Sequence, residues 1–244
     1  MSGETAAVSI DPSLMGPEES DPEGRAYRGV AMEGSIARWY ARTRGTPSQI
    51  AAWRQQAKEL VADLPAGTDL LEVAPGPGYF AVELARTGRA RVTALEISRT
   101  FVQIANAHAR EAGVPVAVRQ GDASRMPFGA ASFDRIVCQA AFKNFGRPQA
   151  AINEMHRVLR PGGVAIVEDM RRDAPDAGIH AEVRGMGLGP VRAYFTRRAL
   201  FSLRRRAYTS EEFVRLAERS PFGSCAVRVE GIGLEVRFAK RPDP

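Results

Sequence analysis

Apolar segments of strand length alternate with amphipathic segments of helix length from Thr68 to about residue 170. This alternation is typical of βαβ units, in which each helix crosses back over a parallel sheet. Ser98 has the side chain of a helix N-cap, and Gly113 stands where a left-handed residue ends a helix. The strands predicted from this pattern span residues 69–74, 91–96, 115–120, 134–140 and 164–170, and the helices span 78–87, 98–112 and 148–160. The sequence therefore predicts an α/β fold with a doubly wound sheet.

The segment that follows this pattern completes one domain, 67–244. A helix over Glu211–Glu218 and strands near 225–230 and 233–239 bring the sheet to seven strands. Apolar residues recur at helical spacing in 25–66, which predicts a helical cap of two helices broken near residues 45–47. Residues 1–24 contain three prolines and six acids and show little apolar periodicity, a composition that predicts disorder. The stretch 174–206 is expected to form a substrate cap.

A glycine loop follows the first predicted strand, in the run Glu72-Val-Ala-Pro-Gly-Pro-Gly78. Gly76 begins a G-x-G-x-x-A pattern, and Glu96 lies twenty residues beyond it, as in dinucleotide-binding proteins. Pro75 and Pro77, however, each remove a backbone N–H that a pyrophosphate would need. The loop thus fits a nicotinamide dinucleotide, but it better suits a nucleoside ligand without phosphates, such as S-adenosylmethionine (SAM).

The ordered motifs between residues 68 and 170 resemble those of class I SAM-dependent methyltransferases of the small-molecule type. The motifs are Glu72–Gly78, with Ala74 in place of the usual first glycine, Val92–Glu96, Gly121-Asp122-Ala123, Met126-Pro127-Phe128, Ser132-Phe133-Asp134 and Leu159-Arg160-Pro161-Gly162-Gly163. The resemblance implies a Rossmann-like sheet, mostly parallel with an antiparallel last strand, and SAM as the cofactor. The Ala74 difference predicts a slightly tighter loop.

The resemblance also implies which residues hold the cofactor. Glu96 would accept hydrogen bonds from the ribose hydroxyls, and Asp122 with the Ala123 N–H would contact the adenine. The full set of expected cofactor-binding residues is Glu72, Ala74, Gly76, Gly78, Glu96, Ile97, Asp122, Ala123 and Gln139. Asp122 also fits an ordinary Asp turn, and Gln139 also fits a solvent contact at a strand end.

Methyl transfer needs alignment, water exclusion and sometimes a base, so the catalytic group need not stand out in sequence. Lys143, His180 and Tyr40 are the candidates for that role. Tyr27 and Tyr194 are further candidates for lining the acceptor pocket. Residues 139–145 lack the Asn-Pro-Pro-Tyr type of motif of amino-directed DNA and protein methyltransferases, which favours a small-molecule acceptor.

Charge and composition limit the kinds of partner that the chain is expected to bind. The net charge is +6 and the pI about 9.8, but arginines are spread along the chain and do not favour a nucleic-acid partner. The two cysteines, Cys138 and Cys225, have no metal-site or disulfide spacing. With neither a signal peptide nor an apolar span, the expectation is a cytoplasmic protein with no membrane partner. The sequence leaves the oligomeric state open.

The leading hypothesis is an enzyme that transfers the methyl group of SAM to a small organic acceptor at O, N or C. One alternative is a SAM-binding fold with other chemistry, such as cyclisation, because fold does not fix function. An NAD(P)-dependent oxidoreductase and an RNA methyltransferase are further alternatives. The Tyr-x-x-x-Lys spacing of short-chain dehydrogenases is absent from the sequence.

Overall fold

The computed structural model describes residues 27–28 and 32–242, so the disorder expected for residues 1–24 lies outside the described residues. Seven strands form one sheet in the order β3-β2-β1-β4-β5-β7-β6. The strands are β1 Thr68–Val73, β2 Ala90–Glu96, β3 Val116–Gln120, β4 Phe133–Gln139, β5 Leu159–Met170, β6 Ala226–Glu230 and β7 Gly233–Ala239. Strands β1 to β5 pair in parallel, whereas β7 is antiparallel to both β5 and β6. The predicted fold class is confirmed.

Eight helices accompany this sheet within the described part of the chain. They are α1 Gly34–Arg44, α2 Pro47–Val61, α3 Tyr79–Arg86, α4 Arg99–Ala112, α5 Pro148–Val158, α6 Asp176–Gly185, α7 Pro190–Arg204 and α8 Ser210–Glu218. The predicted cap of α4 is present, because the Ser98 hydroxyl accepts the Phe101 N–H at 3.1 Å. Gly113 ends the helix with a φ of 66°. Two helices broken at Gly45 precede the sheet, as the periodicity indicates.

Helices cover both faces of the sheet, which explains the apolar strands. Adjacent residues of a strand point to opposite faces, and Leu70 and Leu71 of β1 accordingly belong to two different core clusters. Leu70 packs with Leu84 of α3 on one face, and Leu71 packs with Ile152 of α5 on the other. All four are fully buried, and each such side chain contributes roughly 1.5–3 kcal/mol of hydrophobic stabilisation.

Strand β1 is the point at which the order of strands reverses. It pairs with β2 on one side and with β4 on the other. In open α/β sheets, ligands bind beside the carboxyl ends of the strands at such a reversal, where the following loops diverge. The fold therefore directs attention to the residues that follow β1, β2 and β4.

Two local features differ from the predicted elements. Strand β5 begins at Leu159 rather than at residue 164, because Leu159 pairs with Phe133 before the register shifts. Helix α5 therefore ends at Val158, two residues earlier than predicted. Glycines at 185, 187 and 189 hide the helical periodicity of 174–206 in the sequence, so no helix bounds were predicted there, although its arginines fitted a solvated helix face. The structure forms α6 and α7 in this stretch, packed against each other.

Within residues 27–28 and 32–242, no helix has both the length and the apolar character needed to cross a bilayer.

Candidate functional site

Glu72, at the end of β1, has an unusual environment at the strand reversal. Its side chain is only 3% exposed, and its Oε2 atom has no hydrogen-bond partner among the described residues. Burial, with a smaller contribution from the charge of Glu96, raises the pKa of Glu72 to about 8. A buried carboxyl group without a partner is costly, so the position calls for a ligand group that can satisfy it.

Glu96, at the end of β2, is the second buried acid. One carboxylate oxygen accepts the Gly76 N–H and the other accepts the Ser98 N–H, both at 2.9 Å. Burial raises the pKa of Glu96, and these backbone donors oppose that shift. The carboxylate thus joins the glycine loop to the start of α4. It lies at the carboxyl end of β2, next to the point where the strand order reverses.

The glycine loop between β1 and α3 uses its glycines for two different reasons. A Cβ on Gly78 would lie 2.6 Å from Cβ of Ala105, so close packing on α4 requires glycine there. A Cβ on Gly76 would meet no described atom within 4 Å, so that glycine borders open space. Both residues have positive φ, 55° at Gly76 and 80° at Gly78. A side chain at position 76 would occupy this open space.

Ala74 takes the left-handed conformation at the first position of the loop, with a φ of 58°. Its N–H donates to the Leu95 carbonyl at 2.8 Å, which ties the loop to β2. An alanine in this conformation is strained by roughly 1–2 kcal/mol. The substitution of glycine by alanine therefore leaves the turn in place and adds strain to it.

The residues after β2 and β3 form the next part of the rim. Asp122 and Ala123 are half-buried, and the Gly121 N–H donates to the Glu96 carbonyl at 2.9 Å. Asp122 Oδ1 accepts the Ser124 N–H at 2.8 Å, which is the Asp turn. Ile97 is half-buried beside Glu96. Ile97 and Asp122-Ala123 thus follow the carboxyl ends of the neighbouring strands β2 and β3, where the sequence predicts them.

Gln139, at the end of β4, turns its amide toward β5. Its Nε2 donates to Glu168 Oε2 at 2.9 Å, and Gln56 of α2 donates to the same oxygen at 2.6 Å. Burial raises the pKa of Glu168. This arrangement links α2 to the carboxyl ends of β4 and β5, so the side chain of Gln139 supports the site rather than pointing freely into it.

The comparisons with known proteins all find methyltransferases. Residues 71–167 match the protein family described as “Methyltransferase domain”. A demethylmenaquinone methyltransferase from Deinococcus radiodurans is 34% identical over 113 residues, which are 46% of this chain and 46% of that protein. A ubiquinone biosynthesis O-methyltransferase from Xanthomonas axonopodis pv. citri is 33% identical over 109 residues, 44% of this chain and 45% of that one. The chain spans about half the length of the curated relatives it matches.

A solved structure extends the likeness of fold to nearly the whole chain. A putative SAM-dependent methyltransferase from Methanococcus maripaludis superposes with a TM-score of 0.67, at 17% identity, over 94% of this chain and 99% of that one. Residues 71–167 are therefore similar in sequence to a methyltransferase domain, and the fold is shared with a protein described as a putative SAM-dependent methyltransferase. The resemblance drawn from the sequence motifs is confirmed.

The residues of this methyltransferase domain fit its cofactor. SAM is a cation, with a sulfonium and an ammonium group, and it carries no phosphate. Glu72 and Glu96 are both buried acids, and a cation placed beside Glu72 would favour the ionised form of its carboxyl group, whose pKa is otherwise about 8. The Oε2 atom of Glu72 has no hydrogen-bond partner among the described residues, and Gly76 borders open space. The two prolines of the loop do not matter to a ligand without phosphates. No group of three or more metal-binding side chains occurs in residues 27–28 and 32–242.

Lys143 has the geometry of a structural residue. It lies in a 3₁₀ turn, Phe142–Asn144, and its side chain is buried, with Nζ 2.7 Å from Asp169 Oδ1. Its backbone N–H donates to the other Asp169 oxygen at 2.9 Å, and Nζ also donates to the Ala140 carbonyl. An ammonium held in a buried ion pair has no free electron pair to accept a proton. The geometry therefore favours a role in holding the turn after β4 to β5.

The other two catalytic candidates lie on the helices around the methyltransferase domain. His180 is exposed on α6, and its ring packs edge-on against Phe201 of α7 at 5.9 Å. The Tyr40 hydroxyl accepts Arg44 Nε at 3.1 Å, and its ring packs against Phe101 at 5.9 Å. Neither contact identifies a base.

Residues 32–33 contact the start of α4, beside Glu96, through hydrogen bonds that the sequence did not predict. Glu33 accepts the N–H groups of Arg99 and Thr100 at 2.8 and 3.0 Å, which caps α4 from another segment. Its pKa is lowered, chiefly by the hydrogen bond from the Thr100 side chain. The Ser98 hydroxyl donates to the Met32 carbonyl at 2.6 Å. A carboxylate that caps a helix can be recognised in a sequence when it directly precedes that helix. Glu33 lies 66 residues before Arg99, so the sequence did not reveal this cap.

Tyr27 is connected to the residues after β4 by a β-bridge, and to Arg206, Glu96 and Tyr40 by electrostatics. Tyr27 forms an isolated β-bridge with Phe145, just after β4. Burial raises the pKa of Tyr27, Arg206 lowers it, and Glu96 and Tyr40 raise it, so all of these groups are within electrostatic reach of one hydroxyl. Arg206 Nε is buried without a hydrogen-bond partner among the described residues. The sequence predicted Tyr27 as a pocket residue but did not separate Arg206 from its neighbours in an arginine run. Tyr194, the other expected pocket residue, is exposed.

Proposed function

We propose that this chain transfers the methyl group of SAM to a small organic acceptor. The observation that carries the proposal is the buried acid pair Glu72 and Glu96 beside the open space at Gly76, at the reversal of strand order. Glu96 offers a buried carboxylate to a cationic ligand, and the charge of that ligand would favour ionisation of Glu72 as well. The reversal of strand order is where α/β sheets bind ligands.

The residues that hold the cofactor are proposed on the same basis. Glu96 would accept hydrogen bonds from the ribose hydroxyls with the lone pairs that Gly76 and Ser98 leave unused, and Glu72 would face the methionine portion. Ala74, Gly76 and Gly78 would shape the loop around it. Ile97, Asp122 and Ala123 would border the adenine, and the Gln139 backbone would close the amino-acid end.

The cofactor supplies an activated methyl group, so the protein must orient an acceptor, exclude water and, for a hydroxyl acceptor, help remove a proton. Arg206 offers a buried Nε donor that has no hydrogen-bond partner among the described residues, and its charge lowers the pKa of the Tyr27 hydroxyl. A guanidinium stabilises an anionic oxygen, which favours an acceptor that reacts as a phenolate or an enolate.

The names of the curated relatives suggest the class of acceptor. Both are methyltransferases of quinone biosynthesis, and one is named as an O-methyltransferase. We infer that the acceptor is a hydroxylated aromatic or quinone ring, with methyl transfer to oxygen or to an adjacent carbon. Both products follow from the same ring anion, so the Arg206 environment does not select between them.

A transfer assay tests the proposal. The purified chain is incubated with SAM carrying a tritiated methyl group and a panel of hydroxyquinones, catechols and phenols, and the label in the extracted ring compound is counted. The expected result is labelled product with the wild type, none with Gly76→Val, and normal product with the exposed control Glu59→Gln. Cofactor binding without labelled product across the panel would favour the alternative of a SAM-binding fold with other chemistry. Reduction of a quinone by NADH would instead revive the oxidoreductase.

A further inference from the structure

The N-terminal part of α7 exposes a cluster of apolar side chains. Val191 is 67% exposed, Phe195 55% and Tyr194 47%, and Met186, in the preceding turn, is 44% exposed. These four are half of the large apolar side chains that are exposed in the described chain, and they lie within ten residues of one another. Scattered apolar surface residues need no explanation, but a cluster of this kind marks an interaction site.

The helical geometry places these residues on the outer side of α7. Val191, Phe195 and Arg198 are spaced by four and three residues, so they follow one line along the helix, and Tyr194 lies beside it. The C-terminal half of α7 packs on α6, through the Phe201 ring and through Arg204, which donates to Asp176 at 2.6 Å. We call the outward surface formed by Met186, Val191, Tyr194, Phe195 and Arg198 the α7 face.

The charged residues of α7 itself and of the turns on either side of it are all basic. No acidic residue occurs between Glu182 and Glu211 in the sequence. The same stretch contains seven arginines: Arg184, Arg192, Arg197, Arg198, Arg204, Arg205 and Arg206. Arg192, Arg198 and Arg205 are exposed, and the Arg197 guanidinium lies over the Tyr194 ring at 5.8 Å. The surface thus combines exposed aromatic and aliphatic groups with exposed positive charge.

We propose that the α7 face docks on an anionic lipid surface. Aromatic and aliphatic side chains bury into the boundary between headgroups and acyl chains, while arginines extend their stems to reach anionic headgroups. The residues after α7 lie beside the edge of the sheet formed by the carboxyl ends of the parallel strands, because Tyr208 bridges to Arg171 at the end of β5. Docking through α7 would therefore hold the acceptor side of the domain near the membrane surface. This differs from a membrane span, which the sequence argued against.

Two other occupants fit the α7 face less well. A symmetric contact between two copies would bring the same patch against itself, and would set the arginines of one copy against those of the other. A nucleic acid would use the arginines, but phosphate contacts leave Met186 and Val191 without a role. An anionic lipid surface uses both parts of the patch.

Co-sedimentation with lipid vesicles tests this proposal without any cofactor or acceptor. Vesicles of phosphatidylcholine mixed with phosphatidylglycerol are expected to bind the full chain, and vesicles of phosphatidylcholine alone are expected to bind it at least tenfold more weakly. The double variant Val191→Ser/Phe195→Ser should lose at least tenfold in binding to the anionic vesicles. Arg192→Gln and Arg198→Gln should each lose roughly fivefold.

The controls separate docking from folding and from the proposed function. Val229→Ser, at a residue of β6 that is 48% exposed, removes a similar apolar group elsewhere and should leave vesicle binding unchanged. All the variants should bind S-adenosylhomocysteine as the wild type does. The proposal is overturned by equal binding to both vesicle types, by no binding to either, or by an equal loss in Val229→Ser. A dimer that Phe195→Ser dissociates, or binding to duplex RNA in place of vesicles, would assign the face to another partner. None of these results would bear on methyl transfer.

Discussion

Ala74 and Ala140 both adopt the left-handed backbone conformation, with φ of 58° and 52°, directly after the adjacent strands β1 and β4. Their N–H groups donate across the sheet edge, from Ala74 to Leu95 and from Ala140 to Glu168, at 2.8 and 2.7 Å. Strained residues at the ends of two strands that flank the order reversal coincide with the candidate site. Such strain persists where the surrounding structure holds it in place.

The strain predicts that glycine is tolerated at either position. Ala74→Gly and Ala140→Gly each relieve roughly 1–2 kcal/mol of left-handed strain. The added freedom of the unfolded chain offsets about 0.4–1 kcal/mol of that gain. We expect unfolding free energies unchanged or raised by up to about 1 kcal/mol, measured in urea. Ala52→Gly, on the exposed side of α2, is the matched control and should lose about 1 kcal/mol. Equal losses in all three variants would contradict the account.

The two loop glycines should respond differently to alanine. Gly78→Ala adds a clash with Ala105 to the strain of a positive φ and should lose roughly 2–5 kcal/mol of stability. Gly76→Ala meets no described atom and should lose only about 1–2 kcal/mol, but its Cβ enters the proposed cofactor space. Thermal unfolding and titration with S-adenosylhomocysteine measure the two effects. A stable Gly76→Ala variant with undiminished affinity would place the cofactor elsewhere.

Glu72 should make stability depend on pH. Its pKa is about 8 in the folded chain, against an ordinary value of 4.5, so between these values the folded state holds a proton that the unfolded state releases. The free energy of unfolding therefore falls as pH rises through this range, by up to about 1.4 kcal/mol per unit from this group, and levels off above pH 8. Glu72→Gln removes the fall, so its stability relative to wild type should rise from pH 5 to pH 8 in urea titrations. A difference that stays constant with pH, as expected for the exposed control Glu59→Gln, would count against the buried neutral carboxyl.

The Lys143–Asp169 ion pair should behave as a structural unit. Lys143→Met leaves the Asp169 carboxylate buried without its partner and should lose roughly 3–5 kcal/mol of stability. The double variant Lys143→Met/Asp169→Leu should recover part of that loss. If Lys143 is instead the base for transfer, Lys143→Met would fold normally and lose turnover alone. Chemical denaturation and the methyl-transfer assay together separate the two roles.

The strands and helices of the sheet were predictable because the period of apolar residues changes clearly between them, and most bounds agree within two residues. Glu96 was recognisable because a strand end and a spacing from Gly76 coincide. The partnership of Lys143 with Asp169 was not predictable, since it joins two strand ends 26 residues apart in sequence. The α6–α7 pair was missed because its glycines break the pattern and α7 buries no side chain that would give it an apolar stripe.

Titration calorimetry with S-adenosylhomocysteine, the demethylated cofactor, measures whether the residues at the strand reversal bind SAM. The wild type is predicted to bind one molecule per chain. Glu96→Ala should bind roughly 10–100-fold more weakly, because it loses charge-assisted hydrogen bonds in a buried site. Glu59→Gln should bind as the wild type does. Absence of measurable binding by the wild type, or equal affinity in Glu96→Ala, would contradict the assignment of this strand reversal as a SAM site.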